Sequence, residues 1–151
     1  IGTSRLRTAH EVLCAQPMVD ETRTAAIGYC FGGAMVLHMA RIGMPLKAVV
    51  SFHGALGSFH APTPGEIKSR ILVCHGAADS LVPESDIEAF NVEMATAQAN
   101  VKFESYEGAL HGFTNPDATE RGQSYGLPLA YDQRADEASW SEMQALFNEV
   151  F

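Results

Sequence analysis

Apolar and polar positions along this chain follow two rhythms. Four short apolar runs recur, each rich in residues suited to a strand: TAAIGY (24–29), LKAVVSF (46–52), RILVCHG (70–76) and VKFESY (101–106). Short runs of this kind, with β-branched and aromatic residues among them, suit strands that are covered on both faces. Elsewhere the apolar positions return every three or four residues. That helical rhythm occupies 32–42, 85–99 and the closing ADEASWSEMQALFNEVF, where Trp140, Met143, Phe147 and Val150 form one stripe. A further helix is expected in IGTSRLRTAHEVLCAQP, with Leu6, Ala9, Val12 and Leu13 on one face. Strand, helix and strand in succession predict an α/β fold, a parallel sheet with right-handed crossovers and flanking helices. Asp20 and Glu84 or Ser85 fall where helices are expected to begin or end, and Pro17, Pro45, Pro62, Pro64 and Pro83 fall between elements. Two stretches without either rhythm, 57–69 and 114–134, are expected to be loops bordering a pocket.

The 151 residues have the length of one domain, so residues 1–151 are read as a single unit. It opens at Ile1 inside a helical pattern, and the expectation is an N-terminally truncated portion of a longer fold. Ten basic residues against eighteen acidic give a net charge of −8 without a lysine or arginine cluster, which argues against nucleic acid or an anionic membrane as partner. No apolar run reaches the 18 or so residues a membrane helix needs. The three cysteines, at positions 14, 30 and 74, make neither a disulfide framework nor a zinc ribbon, which fits a reducing cytoplasm.

One cysteine stands apart. In AAIGYCFGGAMVL, Gly28, Cys30 and Gly32 spell G-x-C-x-G between an apolar run and a helical pattern. G-x-S-x-G in that context forms a strained corner that lifts the central side chain above the sheet. Glycines on either side are expected to let strand and helix approach. The following helix N-terminus favours a thiolate, and the Phe31 N–H faces a developing oxyanion. Dinucleotide and phosphate-loop patterns are absent, and Val36 stands where a cysteine phosphatase needs arginine. The partners come in the order Cys30, Asp79, His111, each just past the end of an apolar run, the chain order of nucleophile, acid and histidine in α/β-hydrolases. Chemistry collects at that edge of an open α/β sheet.

IGYCFGGA, SFHGAL, ILVCHGAADSLVP and EGALHGFTNPDA together resemble the dienelactone hydrolase family, cysteine members of the α/β-hydrolase superfamily. The resemblance covers Thr3 to Phe151 and corresponds to the C-terminal part of the family's fold, without its N-terminal strands. It implies Cys30 as nucleophile, Asp79 as acid and His111 as base, hydrolysing an ester or lactone through a thioester without metal or organic cofactor. The family's second oxyanion-hole amide comes from an earlier strand that these residues do not include. Dienelactone hydrolases proper carry an arginine shortly after the histidine; here HGFTNPD places Asn115 and Asp117 there, so the expected substrate is a small ester, lactone or thioester rather than a dienelactone. The run at 24–29, interior in the family's sheet, is expected to pair with a missing N-terminal segment or another chain. Two other readings stay open: a thioesterase or acyltransferase on the same triad, and a non-catalytic fragment or binding and assembly module that retains it.

Other residues are weighed beside these. Tyr29, His53 and Phe113 are expected to line the substrate pocket, and Phe31 to help shape it. His10 and Cys14 in HEVLC sit one residue short of a zinc-binding H-E-x-x-H spacing and are read as a helix face. Cys74 reads as core, His75 as bonded to backbone, His38 as an ordinary helix residue, and Met35, Met39 and Met44 as packing. His60, in a loop, is uninformative.

Overall fold

A computed structural model of the protein describes residues 2–151. Its elements run α1 (Gly2–Cys14), β1 (Ala25–Tyr29), α2 (Phe31–Arg41), β2 (Ala48–Phe52), β3 (Arg70–Gly76), α3 (Glu84–Thr96), β4 (Val101–Tyr106), α4 (Ala118–Tyr125) and α5 (Gln133–Val150). Each apolar run becomes a strand, and the four strands form one parallel sheet in the order β1-β2-β3-β4. Ala25 lies opposite Ala48, Ala48 opposite Arg70, and Ile71 opposite Val101, which brings all four C-terminal ends to one rim.

Strand alternation divides the core. Val49, Ile71 and Val73 face one side, where Val36, Leu37 and Ala40 of α2 and Phe90 and Met94 of α3 pack on them. Ala48, Val50, Phe52, Leu72 and Cys74 face the other side and are covered by Ala135, Met143 and Leu146 of α5 with Phe113. Parallel neighbours stepping in one direction through right-handed crossovers place their helices on a single face. Hence α2 and α3 share a layer, and α5, after the last strand, supplies the opposite one.

Local chemistry sets the element ends. Gly126 closes α4 in the left-handed conformation, and Asp132 caps α5 by accepting from the Ala135 N–H at 3.0 Å. Arg41, 1% exposed at the end of α2, pairs with Glu93 of α3 at 2.8 Å and donates to the Leu56 carbonyl at 2.7 Å, tying helix, helix and loop together. Removing Glu93 leaves that guanidinium buried without its counter-charge, a loss of about 3–5 kcal/mol.

Several expectations are corrected. Residues 118–125 form α4 rather than loop; their pattern, ATERGQSY, has no apolar face of its own, and Gly122 lets the helix lie against 127–129, where a Cβ would meet the Leu129 carbonyl at 2.3 Å. Asp20 bonds to the Thr22 N–H and hydroxyl in a turn, not at a helix end. In α1, Leu6 packs on the core while Val12 and Leu13 remain exposed. In α5 the stripe turns: Met143, Phe147 and Val150 face the sheet, Ser139 and Leu146 join them, and Trp140 is displaced toward the cavity described below. His75 has no backbone partner; its Nδ1 is buried without a hydrogen bond and the ring packs on Phe103 at 5.7 Å. Cys74 is core as expected, and burial pushes its thiol up to about 12.

Candidate active site

The turn from β1 into α2 forces residue 30 into an unusual conformation. Cys30 sits at φ 52° and ψ −119°, a region in which a side chain is strained, and its N–H is held by the Phe52 carbonyl at 3.0 Å. Two glycines make that corner sterically feasible. A Cβ on Gly28 would meet the Gly32 carbonyl oxygen at 2.1 Å, and one on Gly33 would meet Ser51 Oγ at 2.6 Å and Gly54 Cα at 2.9 Å. The glycine expectation is thereby corrected in part. Gly32 has open space where its Cβ would stand, and it is Gly33 that lets α2 approach β2. Cys30 is left exposed on the rim. Phe31, the first residue of α2, carries one of the helix's N–H groups that have no intrahelical acceptor, and its ring points into solvent, 73% exposed.

The ends of β3 and β4 supply the neighbours. His111 Nε2 lies 3.1 Å from Cys30 Sγ, and His111 Nδ1 lies 2.8 Å from Asp79 Oδ2. Three side chains from three strand ends thus form one chain of contacts. Asp79 is buried and also accepts from the Leu81 N–H at 3.0 Å. Burial works against its charge, but the bonds from His111 and Leu81 prevail and hold its carboxyl below the usual range. The Asp79 hydrogen bond pushes His111 up to about 9, against burial and with a smaller push from Cys30. The Ala130 N–H donates to the His111 carbonyl at 3.3 Å, which fixes the histidine loop to the segment before α5.

A cavity of about 590 Å³ opens over this chain, walled by Tyr29, Cys30, His53, His111, Thr114 and Trp140 among others, with Arg121 and Asp136 as its charged residues. Tyr29 and His53 stand where the sequence placed them. Phe113 does not: it is fully buried behind the wall, edge-on to His53 at 5.2 Å. Of the two stretches expected beside the pocket, 114–134 forms a wall, whereas Ala61 and Pro62 of 57–69 line a separate groove against α3. Thr114 was not singled out from the sequence; it sits in the histidine loop and bonds to His53 at 2.9 Å. Among the described residues no group of three or more histidine, cysteine or acidic side chains is arranged to hold a metal ion, and no helix is long and apolar enough to cross a membrane.

A strained cysteine between strand and helix, with a carboxylate and a histidine delivered from later strand ends of a parallel sheet, defines the α/β-hydrolase class of fold. Residues 2–151 match the model of the dienelactone hydrolase family, and the chain belongs to that family. An uncharacterised protein of Caenorhabditis elegans is 33% identical over 150 residues, which are 97% of this chain and 92% of that protein. Among solved structures, a dienelactone hydrolase-like promiscuous phosphotriesterase, P91, from metagenomic libraries is 40% identical with a TM-score of 0.86, and the match covers 99% of this chain and 62% of that one. A second, m3DLH, is 40% identical with a TM-score of 0.83 over 99% of this chain and 65% of the other. The chain therefore spans just under two thirds of these two solved proteins.

Proposed function

We propose that the protein hydrolyses a carboxylic ester or lactone, with Cys30 as nucleophile, His111 as general base and acid, and Asp79 as the group that orients and charges His111. The observation that carries this reading is the contact chain of 3.1 Å and 2.8 Å through the two nitrogens of one imidazole, ending on a cysteine held above the sheet. His111 holds the thiol proton, either as the imidazolium of a thiolate pair, which its raised ionisation favours, or by taking it as sulfur attacks the carbonyl carbon. The tetrahedral oxyanion forms beside the Phe31 N–H, where the helix end favours negative charge. Collapse breaks the carbon–oxygen bond, His111 returns the proton to the leaving alkoxide, and a thioester on Cys30 remains. Water attacks that thioester with His111 as base, releasing the acid and the free thiol. No step calls on a metal or an organic cofactor.

The strand edge belongs to the same proposal. β1 ends the sheet among the described residues, and Ile27 and Tyr29 are 41% and 40% exposed along it. An apolar edge invites pairing, so a preceding segment or another chain covers β1 and supplies the second oxyanion donor. The partner in catalysis is a small ester or lactone, and the acidic surface makes nucleic acid and anionic membranes poor partners.

The test is capture of the intermediate. Incubation with p-nitrophenyl acetate, quenched in acid, leaves an acetyl group on the peptide containing Cys30; an unmodified peptide, or acetylation spread over lysines only, rejects the reading. A phosphotriester is the second substrate class, favoured by the 40% identity to P91. Release of p-nitrophenolate from a p-nitrophenyl phosphotriester, lost in Cys30→Ala, checks it.

A further inference from the structure

Hydrolysis of a thioester demands more than a base. The attacking water gives one O–H to His111 Nε2, and at a rim where Cys30 is exposed its second O–H can turn to solvent. A freely turning water rarely points its lone pair at the carbonyl carbon. A fixed acceptor on the cavity wall meets that need.

Thr114 provides one. It shares the cavity wall with Cys30 and His111, and its Oγ1 lies 2.9 Å from His53 Nε2. His53 is 4% exposed, set at φ 40° just past β2, and packed edge-on against the rings of His111 at 5.1 Å and Phe113 at 5.2 Å. Burial, helped by the neighbouring His111, pushes its ionisation down to about 4, so it carries one N–H and one lone pair at neutral pH. Its Nδ1 is buried without a partner, which leaves the Nε2 bond to Thr114 as its one polar side-chain contact. Either tautomer gives the same result. If Nε2 donates, Thr114 Oγ1 spends one lone pair on it and keeps the other; if Nε2 accepts the hydroxyl proton, both lone pairs stay free. A neutral imidazole of such low basicity does not strip Thr114 of its proton, so the residue remains a hydroxyl and not a second nucleophile.

We infer that Thr114, oriented by His53, accepts the second O–H of the hydrolytic water and holds that water between His111 and the thioester carbonyl. The inference rests on Cys30 as the acylated residue. In the step, the water oxygen bonds to the carbonyl carbon while its first proton passes to His111 Nε2; its second hydrogen stays covalently bound throughout and remains hydrogen-bonded to Thr114. The carbon–sulfur bond then breaks, the His111 proton goes to the sulfur, and the acid leaves. Thr114 therefore acts on deacylation and not on acylation, and His53 is a positioning residue.

Stopped-flow hydrolysis of p-nitrophenyl acetate by the full gene product separates the two half-reactions. The burst amplitude counts competent sites, so partial misfolding of a variant does not enter the rates. Thr114→Val keeps the side-chain shape and removes the oxygen: its burst rate is expected within about twofold of the parent, while the steady-state rate falls roughly 10- to 100-fold and acetyl-Cys30 accumulates. Thr114→Ser recovers to within about threefold, and hydroxylamine, which attacks thioesters without an activated water, restores turnover to Thr114→Val. His53→Phe, which keeps the ring packing and loses Nε2, falls in the same direction with its burst intact. Parallel loss of burst and steady state in Thr114→Val, no change in either, or a serine variant as slow as valine overturns the inference while leaving Cys30 as nucleophile. Absence of acetyl-Cys30 in the parent overturns the nucleophile reading and this inference with it.

Discussion

Among the described residues are two cysteine–histidine pairs, and their surroundings differ. On α1, Cys14 Sγ lies 3.6 Å from His10 Nε2, four residues back on the same helix. That imidazole leans on a threonine hydroxyl, Thr24 Oγ1 at 3.2 Å, where His111 leans on a buried carboxylate. Cys14 is the last residue of its helix, at the end whose field opposes negative charge; Cys30 precedes a helix, at the end that favours it. The first pair follows from ordinary helical spacing, which any i, i+4 combination shares. The second requires a strained corner, two glycines and three strand ends. A sulfur beside an imidazole is therefore common geometry; the proposed chemistry at Cys30 rests on the charge behind the imidazole and the helix end ahead of the sulfur.

The sharpest way to break this contrast is to delete each sulfur. Cys30→Ala is expected to lower kcat/KM for p-nitrophenyl acetate by about a thousandfold or more, and Cys14→Ala to leave it within about twofold. Comparable losses in both would erase the distinction. Removing the carboxylate comes next: Asp79→Asn is expected to cost roughly 10²- to 10⁴-fold in kcat and to bring the His111 ionisation, followed by imidazole NMR, down from about 9 toward its ordinary value. Linkage fixes the sign for stability. A histidine raised in the folded state stabilises fully below its unfolded value of 6.5 and loses that contribution as pH rises through about 9. The melting-temperature gap between parent and Asp79→Asn should thus be widest near pH 6 and narrow toward pH 9.5, reflecting of the order of 2–3 kcal/mol. A gap that grows with pH contradicts the assignment.

Alkylation orders all three thiols. With iodoacetamide at low equivalents, Cys30 is expected to modify first, Cys14 more slowly, and Cys74, fully buried with its thiol pushed up to about 12, only on unfolding. Peptide mass mapping over time reads the order, and equal rates at Cys14 and Cys30 would remove the claimed difference. The smallest effects dissect the corner itself. Gly28→Ala is expected to destabilise by roughly 2–4 kcal/mol because its methyl meets backbone, whereas Gly32→Ala, with open space in a helix, changes stability by less than about 1 kcal/mol and in the favourable direction. Urea unfolding of the two variants measures both.

Why some of this was legible and some was not has a common physical basis. The two inner strands were readable because burial on both faces demands apolar runs, as AVVSF shows with every residue buried, whereas the outer strands β1 and β4 are only partly covered, against the expectation that all four are covered on both faces. Cys30, Asp79 and His111 were singled out because each follows such a run, and the parallel register carries those ends to one rim. Residues 118–125 were not read as a helix because a helix docked on loop backbone, through Gly122, needs no apolar stripe. Phe113 was placed in the pocket by its position two residues past His111, but the chain turns at Gly112 and drives the ring into the core. The pairing of His53 with Thr114 joins positions 61 apart, and no local pattern encodes it.

One feature of the sheet bears on how the protein is made. The face carrying Val50, Phe52, Leu72 and Cys74 is closed by α5, the last of the described elements to leave the ribosome. Until residues 133–150 emerge, a nascent chain with its four strands already paired presents a broad greasy surface to solvent or to a chaperone. Stop codons or proteolytic nicks shortly before Gln133 should therefore yield insoluble products rather than shorter working ones.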